Sequence, residues 1–204
     1  MSNLKTFSIM GPAGNLEGVA HLPDSAPRAI AVVAHPLPTM GGTMENKVVT
    51  TLVKTFVELN CVALRFNFRG VGGSDGTFDE GAGEVKDVLA IVHYARQEYG
   101  ELPLILSGFS FGGYVQACAA QQLHPHLLVL IAPAVGRFAM PHVPHNTLLI
   151  HGEMDEVVPL TDVLHWARPQ KLPVVVLPEA EHFFHGRLNL LKHIVLHEFK
   201  GYPL

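Results

Sequence analysis

Ser110, Asp155 and His182 stand in three short stretches, GFSFGG, EMDE and EAEH, each of which follows an apolar run. A serine hydroxyl is a weak nucleophile until a base takes its proton, and an imidazole titrates in the right range to do so. A carboxylate on the far ring nitrogen fixes the tautomer and stabilises the imidazolium. Together the three types can attack a carbonyl carbon and hand a proton to the leaving group. Each position has rivals of its own type: Glu153, Glu156 and Asp162 near Asp155, and His151 and His185 near His182. Asp155 and His182 are preferred because each follows a strand end, in the chain order Ser, Asp, His. His151 belongs to the strand end itself and suits a structural hydrogen bond.

Positioning these groups is a task for the apolar runs. AIAVVAH (29–35), CVALRFNF (61–68), LPLILSGF (102–109), LLVLIAP (127–133), TLLIHG (147–152) and PVVVLP (173–178) are short, rich in β-branched residues and closed by Gly or Pro, so they predict buried strands. Helical periodicity fills the stretches between them. Over 43–60 it places Val48, Leu52, Phe56 and Leu59 on one side, and over 83–99 Val85, Val88, Leu89, Val92 and Ala95. Further helices are expected near 112–123, 161–168 and 186–199. Such alternation predicts an α/β fold, a mainly parallel sheet with helices on both faces. The opening segment reads as an antiparallel edge hairpin, and residues 1–204 as a single domain. Chemistry in such sheets gathers at the carboxyl ends of the strands, where HPLP, GVGGSDG, GFSFGG, EMDE and EAEH all fall.

GFSFGG lies between a strand and a helix, so Ser110 can sit at the apex of a sharp turn. Gly108 and Gly112 supply the small neighbours that such a turn demands. Two backbone donors are then expected to face a developing oxyanion. One is Phe111, the residue after the serine. The other is Leu37, the one backbone donor between His35 and Thr39, since Pro36 and Pro38 have no N–H. GVGGSDG is not a dinucleotide loop: Asp75 stands where a third glycine belongs and no helix opens directly after it. It reads as a tight turn anchored by Arg69.

Other classes fit poorly. A net charge of −4 without a basic block speaks against nucleic-acid binding. No apolar run is long enough to span a membrane, and MSNLKTFSIMG does not resemble a secretory leader, so a cytoplasmic protein is expected. Cys61 and Cys118 read as buried free thiols. His193 and His197 are spaced for one helix face but lack a third ligand, and neither metal nor cofactor is expected.

The quoted segments, with HPLPTMGGTMENKVVTTL, FNFRGVGGSDGTFDEGAGE, HGEMDEVVP and EAEHFFHGRL, resemble the α/β-hydrolase-fold serine hydrolases in order and over nearly the whole chain. The similarity is greatest to a small lid-less group of esterases. It implies an α/β-hydrolase fold, no cap domain in the 15 residues of 132–146, and an open pocket. It also implies an acyl-enzyme on Ser110, with His182 as base and Asp155 as orienting acid, and a small-molecule ester substrate. A thioesterase or acyltransferase, a peptidase, and a non-catalytic binding module stay open as alternatives. The oligomeric state has no signature. Phe138, Phe183 and Phe184 are candidate pocket aromatics.

Overall fold

Side chains along Ala29–Ala34 (β3) alternate between two separate cores, and that alternation defines the architecture. Ile30, Val32 and Ala34 enter one core, Ala29, Ala31 and Val33 the other. A strand buried on both faces lies inside a sheet covered by two helical layers. In the computed structural model, which describes residues 3–200, the sheet has eight strands. The others are β1 (Asn3–Gly11), β2 (Gly14–Leu22), β4 (Cys61–Phe66), β5 (Leu104–Phe109), β6 (Leu127–Ile131), β7 (Thr147–Gly152) and β8 (Val175–Leu177). Their order is β1-β2-β4-β3-β5-β6-β7-β8. β4 through β8 run parallel, while β1 and β2 form the antiparallel hairpin at one edge.

One face is covered by α1 (Lys47–Glu58) and α5 (Leu188–Lys200), which meet through Phe56 and Phe199. The other is covered by α2 (Ala82–Tyr99), α3 (Phe111–Leu123) and α4 (Leu160–Ala167). The result is a single-domain α/β fold. Among the described residues no helix is long and apolar enough to cross a membrane. Residues 132–146 hold turns and extended backbone, with no helix and no cap.

Three local expectations need correction. The helix expected from residue 43 begins at Lys47, because Asn46 caps it by accepting the Val48 amide at 2.9 Å. On α2 the buried face includes Glu84 and Asp87, while Val85 and Leu89 are only half-buried. Both carboxylates are satisfied there: Glu84 accepts the Gly81 and Asp79 amides at 2.7 and 2.9 Å, and Asp87 takes Arg69. Cys61 is buried as expected, but Cys118 is only half-buried.

Chain direction creates the functional edge. From β3 the chain crosses to β4 on one side, then returns to β5 on the other. The loops leaving β3 and β5 therefore diverge, and a crevice opens between them at the carboxyl end of the sheet.

Candidate active site

Ser110 leaves the end of β5 with φ 55° and ψ −117°, outside the ordinary regions for a residue with a side chain. The surroundings hold it there. Its amide donates to Ile131 O at 2.9 Å, and its carbonyl accepts from the amides of Gly113 at 2.9 Å and Ala134 at 3.2 Å. The turn is tight enough that a Cβ on Gly108 would collide with the Gly112 carbonyl, and one on Gly112 with the Ala34 and His35 carbonyls. Small residues are thus a steric requirement on both sides of the serine.

Asp155 and His182 arrive on the loops after β7 and β8. Those loops are tied together by bonds from Glu153 N to Leu177 O and from Met154 N to Ala180 O, each 3.0 Å. Gly152 lets them approach, since a Cβ there would meet the Ala180 carbonyl. His182 Nδ1 donates to Asp155 Oδ2 at 2.7 Å, and its Nε2 accepts from Ser110 Oγ at 3.1 Å. All three side chains are buried. The imidazole packs against both Phe109 and Phe183, with ring centroids 5.0 and 5.1 Å away, and these two rings also touch each other at 5.9 Å.

Asp155 accepts three hydrogen bonds. Oδ1 accepts the amides of Val157 at 2.9 Å and Val158 at 2.8 Å. Oδ2 faces His182, and His151 Nε2 stands 3.5 Å from it while donating to Val158 O at 2.9 Å. Burial opposes charge on Asp155, but the bonds from His182 and Val158 outweigh it and hold the carboxyl below its ordinary value. Burial likewise pushes His151 below the usual imidazole value, against its Val158 bond.

The rivals lie elsewhere. His185 is mostly exposed and sits 3.9 Å from Glu181. Glu153 accepts the Glu179 amide at 3.0 Å, Glu156 is exposed, and Asp162 flanks Gly136.

Leu37 and Ser110 line the same cavity of about 260 Å³, together with Met40, Arg137, His182 and Phe183. His35, buried beneath the loop, donates from Nδ1 to Pro36 O at 2.6 Å. The Pro36–Leu37 peptide is trans, so fixing that carbonyl also fixes the Leu37 N–H, which points the opposite way. Phe111 opens α3, so its N–H has no partner within the helix. The loop from 35 to 46 is also clamped from β4: Asn67 accepts the Met44 amide at 2.9 Å, and Arg65 donates to Met44 O at 3.1 Å.

Sequence reasoning missed Arg137, His35, Asn67 and Asn46 around this cavity. The His35–Pro36 step was visible, whereas nothing marks Arg137 in an irregular stretch. Of the candidate aromatics, Phe183 is 44% exposed and lines the cavity, Phe184 is wholly buried in the core, and Phe138 stacks on Tyr114. Among the described residues no three His, Cys, Asp or Glu side chains converge to hold a metal ion.

Residues 25–144 match the model of the family described as serine aminopeptidase, S33. The chain is similar to a Xanthomonas campestris α/β serine hydrolase without a lid, with a TM-score of 0.93 at 37% identity, over 98% of this chain and 95% of that one. An α/β serine hydrolase homologue from Coxiella burnetii gives a TM-score of 0.86 at 38% identity, over 97% of each chain. An uncharacterized protein of Rickettsia prowazekii (strain Madrid E) is 34% identical over 199 residues, 85% of this chain and 79% of its own length.

Proposed function

Because the chain belongs to the serine aminopeptidase S33 family of α/β-hydrolase-fold serine hydrolases, we propose that it hydrolyses a small carboxylic ester through an acyl intermediate on Ser110. The observation that carries this reading is the continuous hydrogen-bonded chain from Ser110 through His182 to Asp155, beside an open cavity.

Ser110 Oγ attacks the ester carbonyl as its proton passes to His182 Nε2. Charge develops on the carbonyl oxygen, and the amides of Leu37 and Phe111 receive it. The tetrahedral centre collapses, the C–O bond to the alcohol breaks, and His182 returns the proton to the departing alkoxide. Water then attacks the acyl-serine, giving its proton to His182. The second collapse releases the acid and restores the Ser110 hydroxyl. Asp155 stays ionised throughout and holds the imidazole in the tautomer with its proton on Nδ1.

A thioester, or an acceptor other than water, would use the same groups. The family's description makes peptide hydrolysis the second reading. Assay of p-nitrophenyl acetate beside an amino-acid p-nitroanilide separates the two. The ester is expected to turn over, with Ser110→Ala reducing the rate by about 10⁴-fold or more. A serine variant as active as wild type would end the reading, and turnover of the anilide alone would replace it with the second.

A further inference from the structure

A cation and several hydrogen-bond donors converge on the Ser110 cavity. Arg137 lines it, is exposed, and forms no ion pair among the described residues. Asn46 also lines it; its Oδ1 is taken by the Val48 amide, and its side-chain NH₂ group has no hydrogen-bond acceptor among the described residues. The cavity further lies at the N-termini of α1, 12 residues long and capped by Asn46, and of α3, 13 residues long and following Ser110. Each N-terminus contributes roughly half a positive charge.

No carboxylate among the described residues lines this cavity. The adjoining cavity is the reverse, with Glu156, Glu179 and Glu181 on its walls. Val157, His182 and Phe183 are common to both and form the partition between them. An anion therefore meets Arg137 and amide donors on the Ser110 side of the partition, and on the other side carboxylates, of which Glu179 is already paired with Arg187. Met40, Val157 and Phe183 supply apolar surface on the Ser110 side, 76%, 58% and 44% exposed.

We propose that Arg137 is a specificity determinant and that the ester taken by this site carries an anionic oxygen group, bound by Arg137 with Asn46 beside it. The proposal rests on the ester-hydrolase reading and deepens it. A guanidinium pairs with a carboxylate through two parallel N–H donors, which orients the substrate as well as holding it. The apolar surface takes the carbon chain between the anion and the scissile carbonyl.

The test uses two matched pairs. In one the anion lies in the acyl half: the p-nitrophenyl monoester of glutaric acid against p-nitrophenyl pentanoate. In the other it lies in the alcohol half: the acetyl esters of p-hydroxybenzoate and p-hydroxybenzamide. Each anionic-over-neutral ratio of kcat/KM is normalised to spontaneous hydrolysis. In at least one pair, wild type is expected to exceed Arg137→Gln by about tenfold in this ratio, mostly through KM, with Arg137→Lys between them. The wild-type ratio falls as salt is added. The pair that responds tells which half carries the anion. Ratios that are the same in wild type and Arg137→Gln for both pairs would overturn the proposal. Fluorophosphonate labelling of Ser110 keeps the two readings apart. A labelled, active wild type with unchanged ratios removes Arg137 alone, whereas a wild type that neither labels nor hydrolyses removes both.

Discussion

The Phe68 amide donates to Nε2 of His35 across 3.1 Å, and this bond decides that the ring proton sits on Nδ1, facing Pro36 O. A loop on one strand thereby sets the peptide orientation of a loop on its neighbour. Burial pushes the His35 pKa down to about 4, against the Pro36 bond. The ordinary value is about 6.5. Between these two values the unfolded chain binds a proton that the folded one refuses. The contribution of His35 is therefore complete above pH 6.5 and is lost as pH falls toward 4, by about 3 kcal/mol. Urea unfolding from pH 7 to 4 should show a smaller acid loss for His35→Asn than for wild type. His21, also pushed to about 4, titrates in both proteins and cancels in the difference. The variant should also lose about 10²-fold in kcat as the Leu37 amide is released. Parallel stability curves would contradict the linkage.

Asp155→Asn keeps the shape of the site but offers His182 an amide in place of a carboxylate. Activity should fall on the order of 10³–10⁴-fold. Because the Asp155 carboxyl is held below its ordinary value, its contribution to stability is present above about pH 4 and is lost only as pH falls through the lowered value. The stability difference between wild type and this variant should stay level from pH 7 to about 4 and narrow below that. Denaturant titrations across the range measure it, and a difference already shrinking at pH 6 would place the carboxyl elsewhere.

Gly108→Ala should cost about 3 kcal/mol or prevent folding, because the new Cβ meets the rigid backbone of Gly112. Gly41→Ala is the comparison. Its φ of 77° disfavours a side chain, but nothing lies within 4 Å, so a penalty of about 1–2 kcal/mol is expected. Equal midpoints for the two variants would show that the elbow tolerates a side chain.

Arg69 donates to both oxygens of the fully buried Asp87, at 2.7 and 3.0 Å, and to Gly83 O at 2.8 Å. Asp87→Ala removes the buried carboxylate from the guanidinium, leaving Gly83 O and the exposed Asp79 at 3.9 Å, and should cost about 3–5 kcal/mol. Replacing both residues by apolar ones of similar volume should recover part of that loss. Thermal unfolding of the single and double variants checks this, and a double variant as unstable as the single would contradict it.

What the chain disclosed in advance follows from the range of each signal. Strands buried on both faces are written as local runs, and the order Ser110, Asp155, His182 lies along those runs, so both were legible. The buried face of α2 was not. Hydropathy assigns Asp87 to water, and only the approach of Arg69, 18 residues away in sequence, reverses that. The same holds for GVGGSDG. Arg69 was expected to anchor this turn, yet its side chain reaches α2, while the turn itself is held by the hairpin, with Gly73 N on Glu17 at 2.7 Å and Asp75 N on Asn15 O at 2.8 Å. Phe183 and Phe184 are neighbours with opposite fates, because Phe184 takes a φ of 53° that turns it into the core. Arg137 carries no periodicity at all. Its place at the cavity comes from the path of residues 132–146, which composition does not encode.

The proposed reaction depends on Ser110 being an activated nucleophile. Treating the folded protein with a fluorophosphonate probe and mapping the adduct by mass spectrometry reads that activation at the residue. One adduct on Ser110, slowed by His182→Ala and absent in Ser110→Ala, is the predicted result. Folded wild type with no adduct, or with the adduct on another residue, would contradict it.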